Sequence, residues 1–139
     1  MAVQLCPYLQ FEGNAREAMT HYREVLGGEL DITTFGEFGQ AGTAIEDLVM
    51  HASLDTPRGL TIMASDTSPD MEYRPGTTVT VILSGDEEEV LRGYWEGLSA
   101  GGEVTVPLEQ QMWGDLYGAC TDRFGISWQV NIAGATEPA

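Results

Sequence analysis

Gln111-Met112-Trp113-Gly114-Asp115-Leu116-Tyr117-Gly118-Ala119-Cys120-Thr121-Asp122-Arg123-Phe124-Gly125-Ile126-Ser127-Trp128-Gln129-Val130-Asn131 reads as strand, tight turn, strand. Leu116 to Thr121 is a run of small and apolar residues. Asp122-Arg123-Phe124-Gly125 carries turn chemistry, because Asp can bond its own backbone and Gly can take a positive φ. From Ile126 onward the residues alternate. Ile126, Trp128, Val130 and Ile132 face one way; Ser127, Gln129 and Asn131 face the other. A period of two means a strand buried on one side. An uncharged row of Ser, Gln and Asn is either an ordinary polar sheet face or the lining of a ligand cavity.

Upstream, the chain shows the same order of elements twice. Val3 to Phe11 reads as a first strand, and Asn14 with Glu17 has the form of a capping box. Ala15, Ala18, Met19, Tyr22, Val25 and Leu26 then form an apolar stripe at helical spacing, stopped by Gly27-Gly28. Leu30 to Phe38, Leu48 to Leu54 and Leu60 to Ala64 read as strands. Residues 66–77, with Pro69, Pro75 and Gly76, read as a connection. The order then restarts with a strand at Thr78 to Leu83. A second capping box, Asp86 with Glu89, opens a helix striped by Val90, Leu91, Tyr94, Trp95 and Leu98. Gly101-Gly102 ends it, and Glu103 to Leu108 is a strand.

At a shift of 72, Gly13, Glu17, Tyr22, Glu24 and Leu26 fall on Gly85, Glu89, Tyr94, Glu96 and Leu98. At 74, Gly27-Gly28-Glu29 falls on Gly101-Gly102-Glu103, and at 66, Gly59 falls on Gly125. This is an internal repeat of strand–helix–strand–strand–strand. One striped helix covers one face of a four-stranded sheet and leaves the other open. The fold class expected is α+β: two βαβββ modules, residues 3–65 and 78–132, within a single domain spanning 1–139. They form a cupped mixed sheet with the helices on its outer face.

Composition narrows the partners. The 139 residues carry 22 acids against 6 bases, a net charge of −16. Such a surface repels phosphate backbones and anionic lipid, so neither nucleic acid nor membrane is an expected partner. No apolar run approaches the roughly 20 residues of a membrane-spanning helix. The N-terminus lacks the basic and apolar regions of a signal peptide. Cys6 and Cys120 match no metal spacing and read as buried thiols of a cytoplasmic protein.

Residues 7–19, Pro-Tyr-Leu-Gln-Phe-Glu-Gly-Asn-Ala-Arg-Glu-Ala-Met, with Tyr22 and Val25-Leu26-Gly27-Gly28, resemble the opening of the PhnB-like proteins. Met50-His51-Ala52, Met63-Ala64-Ser65-Asp66, Met112-Trp113-Gly114 and residues 122–131 continue the likeness along essentially the whole chain. These proteins belong to the glyoxalase/bleomycin-resistance group, the vicinal oxygen chelate superfamily. The resemblance implies paired modules and a homodimer, often with modules exchanged between chains. It also implies metal positions on the first and last strands of the modules, here aligned with Pro7, Val79 or a neighbour, Met63 and Gln129. Pro and Val cannot bind a divalent cation, and a thioether suits soft metals. Gln129 alone offers an oxygen, so no metal and no cofactor are expected.

The residues taken singly leave alternatives open. His51, mid-strand, is either a general base or ligand contact facing the cleft, or a hydrogen-bonded structural histidine. His21 reads as surface and Trp128 as core. Trp113 is a stacking face of a pocket or core packing. Asp66, after a strand, either orients His51 or caps a turn. The site expected from these readings is catalytic His51, with Trp113, Gln129, Ser127, Asn131, Met63 and Asp66 around the ligand. The leading reading is a metal-independent protein binding a neutral or cationic metabolite or drug. Its rivals are a lyase, isomerase or transferase with His51 as base, and a metalloenzyme using His51, Gln129 and Asp66. No methyl-donor motif, nucleophile motif or phosphate loop is present.

Overall fold

The computed structural model describes residues 3–134. They divide into two compact units, the first ending at Pro75 and the second beginning at Gly76. The first contains β1 (Tyr8–Phe11), α1 (Ala15–Leu26), β2 (Glu29–Thr34), β3 (Val49–Asp55) and β4 (Thr61–Asp66), with a short 3-10 turn at Gly36–Phe38. The second contains β5 (Val81–Gly85), α2 (Glu88–Ser99), β6 (Glu103–Gln110), β7 (Leu116–Thr121) and β8 (Ser127–Ile132). Each unit is a βαβββ module with its own four-stranded sheet, ordered β1-β4-β3-β2 and β5-β8-β7-β6. In each, the outer β1–β4 or β5–β8 pair is parallel and the other pairs are antiparallel, so both sheets are mixed.

The helix stripes explain the cores. Ala15, Ala18, Met19, Tyr22 and Leu26 are the buried residues of α1, which lies on β2, β3 and β4. Leu91, Tyr94 and Leu98 are those of α2, which lies on β5, β7 and β8. The strands answer with alternate residues: Leu9, Phe11, Ala52, Leu54, Ile62 and Ala64 in the first unit, Leu83, Leu116, Cys120, Trp128, Val130 and Ile132 in the second. The intervening residues point away from the helices.

The repeat is visible in atomic detail. Thr56 N–H donates to Leu60 O and Leu60 N–H to Thr56 Oγ1; Asp122 N–H donates to Ile126 O and Ile126 N–H to Asp122 Oδ1. These are the same turn at a shift of 66, closed once by a hydroxyl and once by a carboxylate. The glycine pairs have a common cause as well. A Cβ on Gly28 would lie 2.2 Å from the Asp55 carbonyl oxygen, and one on Gly102 2.3 Å from that of Thr121. The strand leaving each helix starts against the end of its neighbour, where no side chain fits.

Three local expectations are corrected. The first strand begins at Tyr8 and not Val3, and β5 begins at Val81 and not Thr78. The parallel register is the reason. Tyr8 pairs with Met63, two residues into β4, and Val81 with Trp128, one residue into β8, so residues before Cys6 and Thr80 run past the starts of those strands. The strand expected over 30–38 stops at Thr34, and the chain passes into the 3-10 turn. Neither capping box forms: Asn14 makes no side-chain cap bond, and α2 is capped by Glu87, also without one. In α1 a carboxylate from another strand replaces the cap. Asp66 Oδ1 accepts from Gly13 N–H and Ala15 N–H, each at 2.9 Å. Ala15 N–H, at the first helical position, has no partner within the helix, and Asp66 supplies it one.

Candidate functional site

Each sheet leaves one face without a helix, and most of the residues expected at the site stand there. In the first unit, Thr61, Met63 and Ser65 alternate with buried Ile62, Ala64 and Asp66. Tyr8 is the register partner of Met63 on β1, and Ser53 is its partner on β3. Cross-strand partners share a face, so Tyr8 and Ser53 join this open row. His51, two residues before Ser53, stands on it too.

A bulge sits beside His51. Thr33 pairs with His51 but Thr34 with Val49, which leaves Met50 without a partner on β2. The bulge resets the alternation, so Val49 enters the core while His51 stays on the open face. Tyr8 Oη lies 3.2 Å from His51 Nδ1, and the two ring centroids are 5.8 Å apart. β4 separates β1 from β3, a gap of about 10 Å at the usual strand spacing. The phenol therefore reaches across the Met63–Ser65 row to meet the imidazole. Tyr8 was not singled out from the sequence. Its alternation with Leu9 and Phe11 was the available signal, but its neighbour depends on long-range register.

Asp66 is elsewhere. It is 4% exposed, on the helix side of β4. Besides Gly13 and Ala15, it accepts from Val49 N–H through Oδ2 at 2.9 Å. Its carboxylate ties the start of α1 to the start of β3. It does not stand with His51; it anchors backbone instead.

In the second unit, Ser127, Gln129 and Asn131 form the open row of β8, opposite buried Trp128, Val130 and Ile132. Their partners on β7 are Thr121, Ala119 and Tyr117. Asn131 Nδ2 donates to Asp115 Oδ2 at 3.0 Å, which fixes the amide. Trp113, 62% exposed in the loop before β7, meets Tyr117 edge-on with centroids 6.1 Å apart. Tyr117 and Asp115 were also missed, although the alternation of β7 was readable. Trp128 is buried, and its Nε1–H donates to Asp122 Oδ2 at 2.8 Å. Arg123 stacks over Phe124 in the same turn, with Cζ 4.9 Å from the ring centroid.

The donors at the superfamily's metal positions do not fit a hard divalent cation. The residue beside Met63 is Tyr8 and not Pro7, whose carbonyl is taken by Met63 N–H. The residue beside Gln129 is Ile82 and not Val79. The four residues at these places are Tyr8, Met63, Ile82 and Gln129; the Met63 thioether suits soft metals and the Ile82 side chain offers no donor. Among the described residues, no three His, Cys, Asp or Glu converge to hold a metal.

The family model for 3-demethylubiquinone-9 3-methyltransferase matches residues 3–131. The chain belongs to this family. Its fold is that of a PhnB protein and of a glyoxylase/bleomycin resistance protein/dioxygenase domain. Protein PA1353 from Pseudomonas aeruginosa is 35% identical, with a TM-score of 0.85 over 94% of this chain and 98% of that one. The PhnB protein from Bacillus cereus is 24% identical, with a TM-score of 0.73 over 94% and 100%. A glyoxylase/bleomycin resistance protein/dioxygenase domain from Frankia is 16% identical, with a TM-score of 0.62 over 95% and 98%. The last two share the fold. Among the described residues, no helix is long and apolar enough to cross a membrane.

Proposed function

We propose that this PhnB-like chain binds a small neutral or cationic molecule on its open sheet faces and does so without the superfamily's metal. The Tyr8–His51 pair carries this reading. It places a phenol and an imidazole, already bonded to each other, beside a polarisable thioether on a face that no helix covers. Polar groups that orient, set among apolar and aromatic groups that bury, are the ordinary composition of a ligand site. Trp113 and Tyr117 offer a second aromatic group in the other unit, with Gln129, Ser127 and Asn131 on the same open face as Tyr117. The net charge of −16 disfavours anionic ligands. Superfamily membership supports small-molecule binding without naming the ligand. We place the protein in the cytoplasm as a homodimer.

The test is calorimetry with the molecule that co-purifies or that a metabolite screen selects. His51→Ala and Trp113→Ala are each expected to weaken binding by about 1–3 kcal/mol, the scale of a lost buried hydrogen bond or stacking contact. Unchanged binding in both variants would remove the site assignment. Elemental analysis is expected to find no stoichiometric transition metal. About one per chain, lost on His51→Ala, would favour a metalloenzyme. The second reading is an enzyme with His51 as general base, favoured by the placement of an ionisable imidazole on an open face.

A further inference from the structure

The Tyr8–His51 geometry, taken with the binding reading above, specifies which atom faces a ligand and what it offers. Imidazole nitrogens differ. In the neutral ring one carries a proton and the other a lone pair, and the bond made by one fixes the role of the other. Here the bonded nitrogen is Nδ1, 3.2 Å from the phenol oxygen. Among the described residues, Nε2 bonds to none and no buried side-chain polar atom is left unsatisfied, so Nε2 opens on solvent or ligand. A phenol O–H is a stronger donor than a neutral imidazole N–H, and an imidazole lone pair is a stronger acceptor than a phenol oxygen. The bond therefore runs from Tyr8 O–H to Nδ1.

We infer that Tyr8 holds His51 as the Nε2–H tautomer, so that this face presents a hydrogen-bond donor to a neutral oxygen acceptor such as an amide or ketone carbonyl. Tyr8 is then a specificity-determining residue: it makes His51 a donor in place of a base. Met63 and the Tyr8 ring lie alongside and suit the apolar, planar part of such a ligand. This assignment also separates the two functional readings. A His51 with its proton on Nε2 cannot take a proton through that atom, whereas it can polarise a carbonyl.

The experiment is nitrogen-15 NMR of the His51 ring in the full chain, at a pH where the ring is neutral. Wild-type protein is compared with Tyr8→Phe and titrated with benzamide and, separately, benzylammonium. Tyr8 is 48% exposed, so the substitution leaves the core intact, and a matching amide spectrum away from residue 8 verifies folding. Nδ1 is expected at a pyridine-like shift and Nε2 at a pyrrole-like one. Tyr8→Phe should move both toward their average. Benzamide, which has a carbonyl, should shift Nε2; benzylammonium, which has no acceptor, should not. Tyr8→Phe should weaken benzamide about tenfold, as one lost orienting hydrogen bond does.

A proton found on Nδ1, or shifts untouched by Tyr8→Phe, would overturn the tautomer assignment. Benzamide that perturbs other residues of the open faces but leaves Nε2 unmoved would overturn the donor role while sparing the binding reading. Failure of benzamide and of every screened metabolite to bind would remove the binding reading, and the tautomer result would stand by itself.

Discussion

Asp66 and Cys120 show how burial assigns roles to single side chains. Asp66 satisfies three backbone N–H groups, two of them buried, on Ala15 and Val49, and one part-buried, on Gly13. Asp66→Ala would leave those donors without partners, at about 1–3 kcal/mol for each group that water cannot reach. We expect a loss of about 3 kcal/mol or more in urea unfolding, with Asp66→Asn intermediate because its amide keeps one acceptor. A loss below 1 kcal/mol would mean that the N–H groups are rehydrated. Burial, and after it the charge of Asp122, pushes the Cys120 thiol from 9.0 up to about 11. The unfolded thiol ionises first as pH rises, so the unfolded state binds fewer protons between about pH 9 and 11. The stability this thiol contributes is thus full below pH 9 and lost as pH passes 11. Wild-type protein should lose stability across that window more steeply than Cys120→Ala, by denaturation at each pH. Parallel pH curves for the two would refute this.

The glycine pairs belong to the scale of elements. At Gly102 the backbone angle is ordinary, and the obstacle is purely steric: a Cβ would stand 2.3 Å from Thr121 O and 2.9 Å from Asp122 Cα. Both obstacles are backbone atoms that cannot turn aside as a flexible side chain can. Gly102→Ala must push β6 away from β7 at its first pair, Glu103 with Thr121. We expect about 2–4 kcal/mol of destabilisation, the range of strained core substitutions. Gly93→Ala on α2, where a Cβ meets nothing within 4 Å, should be neutral or stabilising by up to about 1 kcal/mol. Equal thermal shifts for the two variants would show that β6 can move freely.

For the whole molecule, the open question is assembly. β1 and β2 flank one sheet, β5 and β6 the other, and each edge strand carries backbone groups able to pair. With the family resemblance, this supports the proposed homodimer. Light scattering at micromolar concentration and about 0.15 M salt should give twice the chain mass of 15.1 kDa. A single-chain mass under those conditions would contradict the dimer.

Periodicity determined much of this protein by itself. The helix stripes, the alternation of Ser127 to Ile132 and the repeat at a shift of 66 are local patterns, and local sterics and burial translate them directly into elements. Turn chemistry was equally legible at Asp122, whose Oδ1 accepts from Phe124 N–H at 2.9 Å as the residue type implies. The neighbours of each side chain were not legible, because they depend on strand order and register between segments far apart in the chain. The Tyr8–His51 bond spans 43 positions, and the Asp66 bond to Gly13 spans 53. Alternation sets Asp66 opposite the row of Thr61, Met63 and Ser65, but it could not say which backbone groups the carboxylate would meet there. Only the sheet decided that. It paired β1 with β4, sent the Asp66 carboxylate under α1, and brought Tyr8 over the Met63 row to His51.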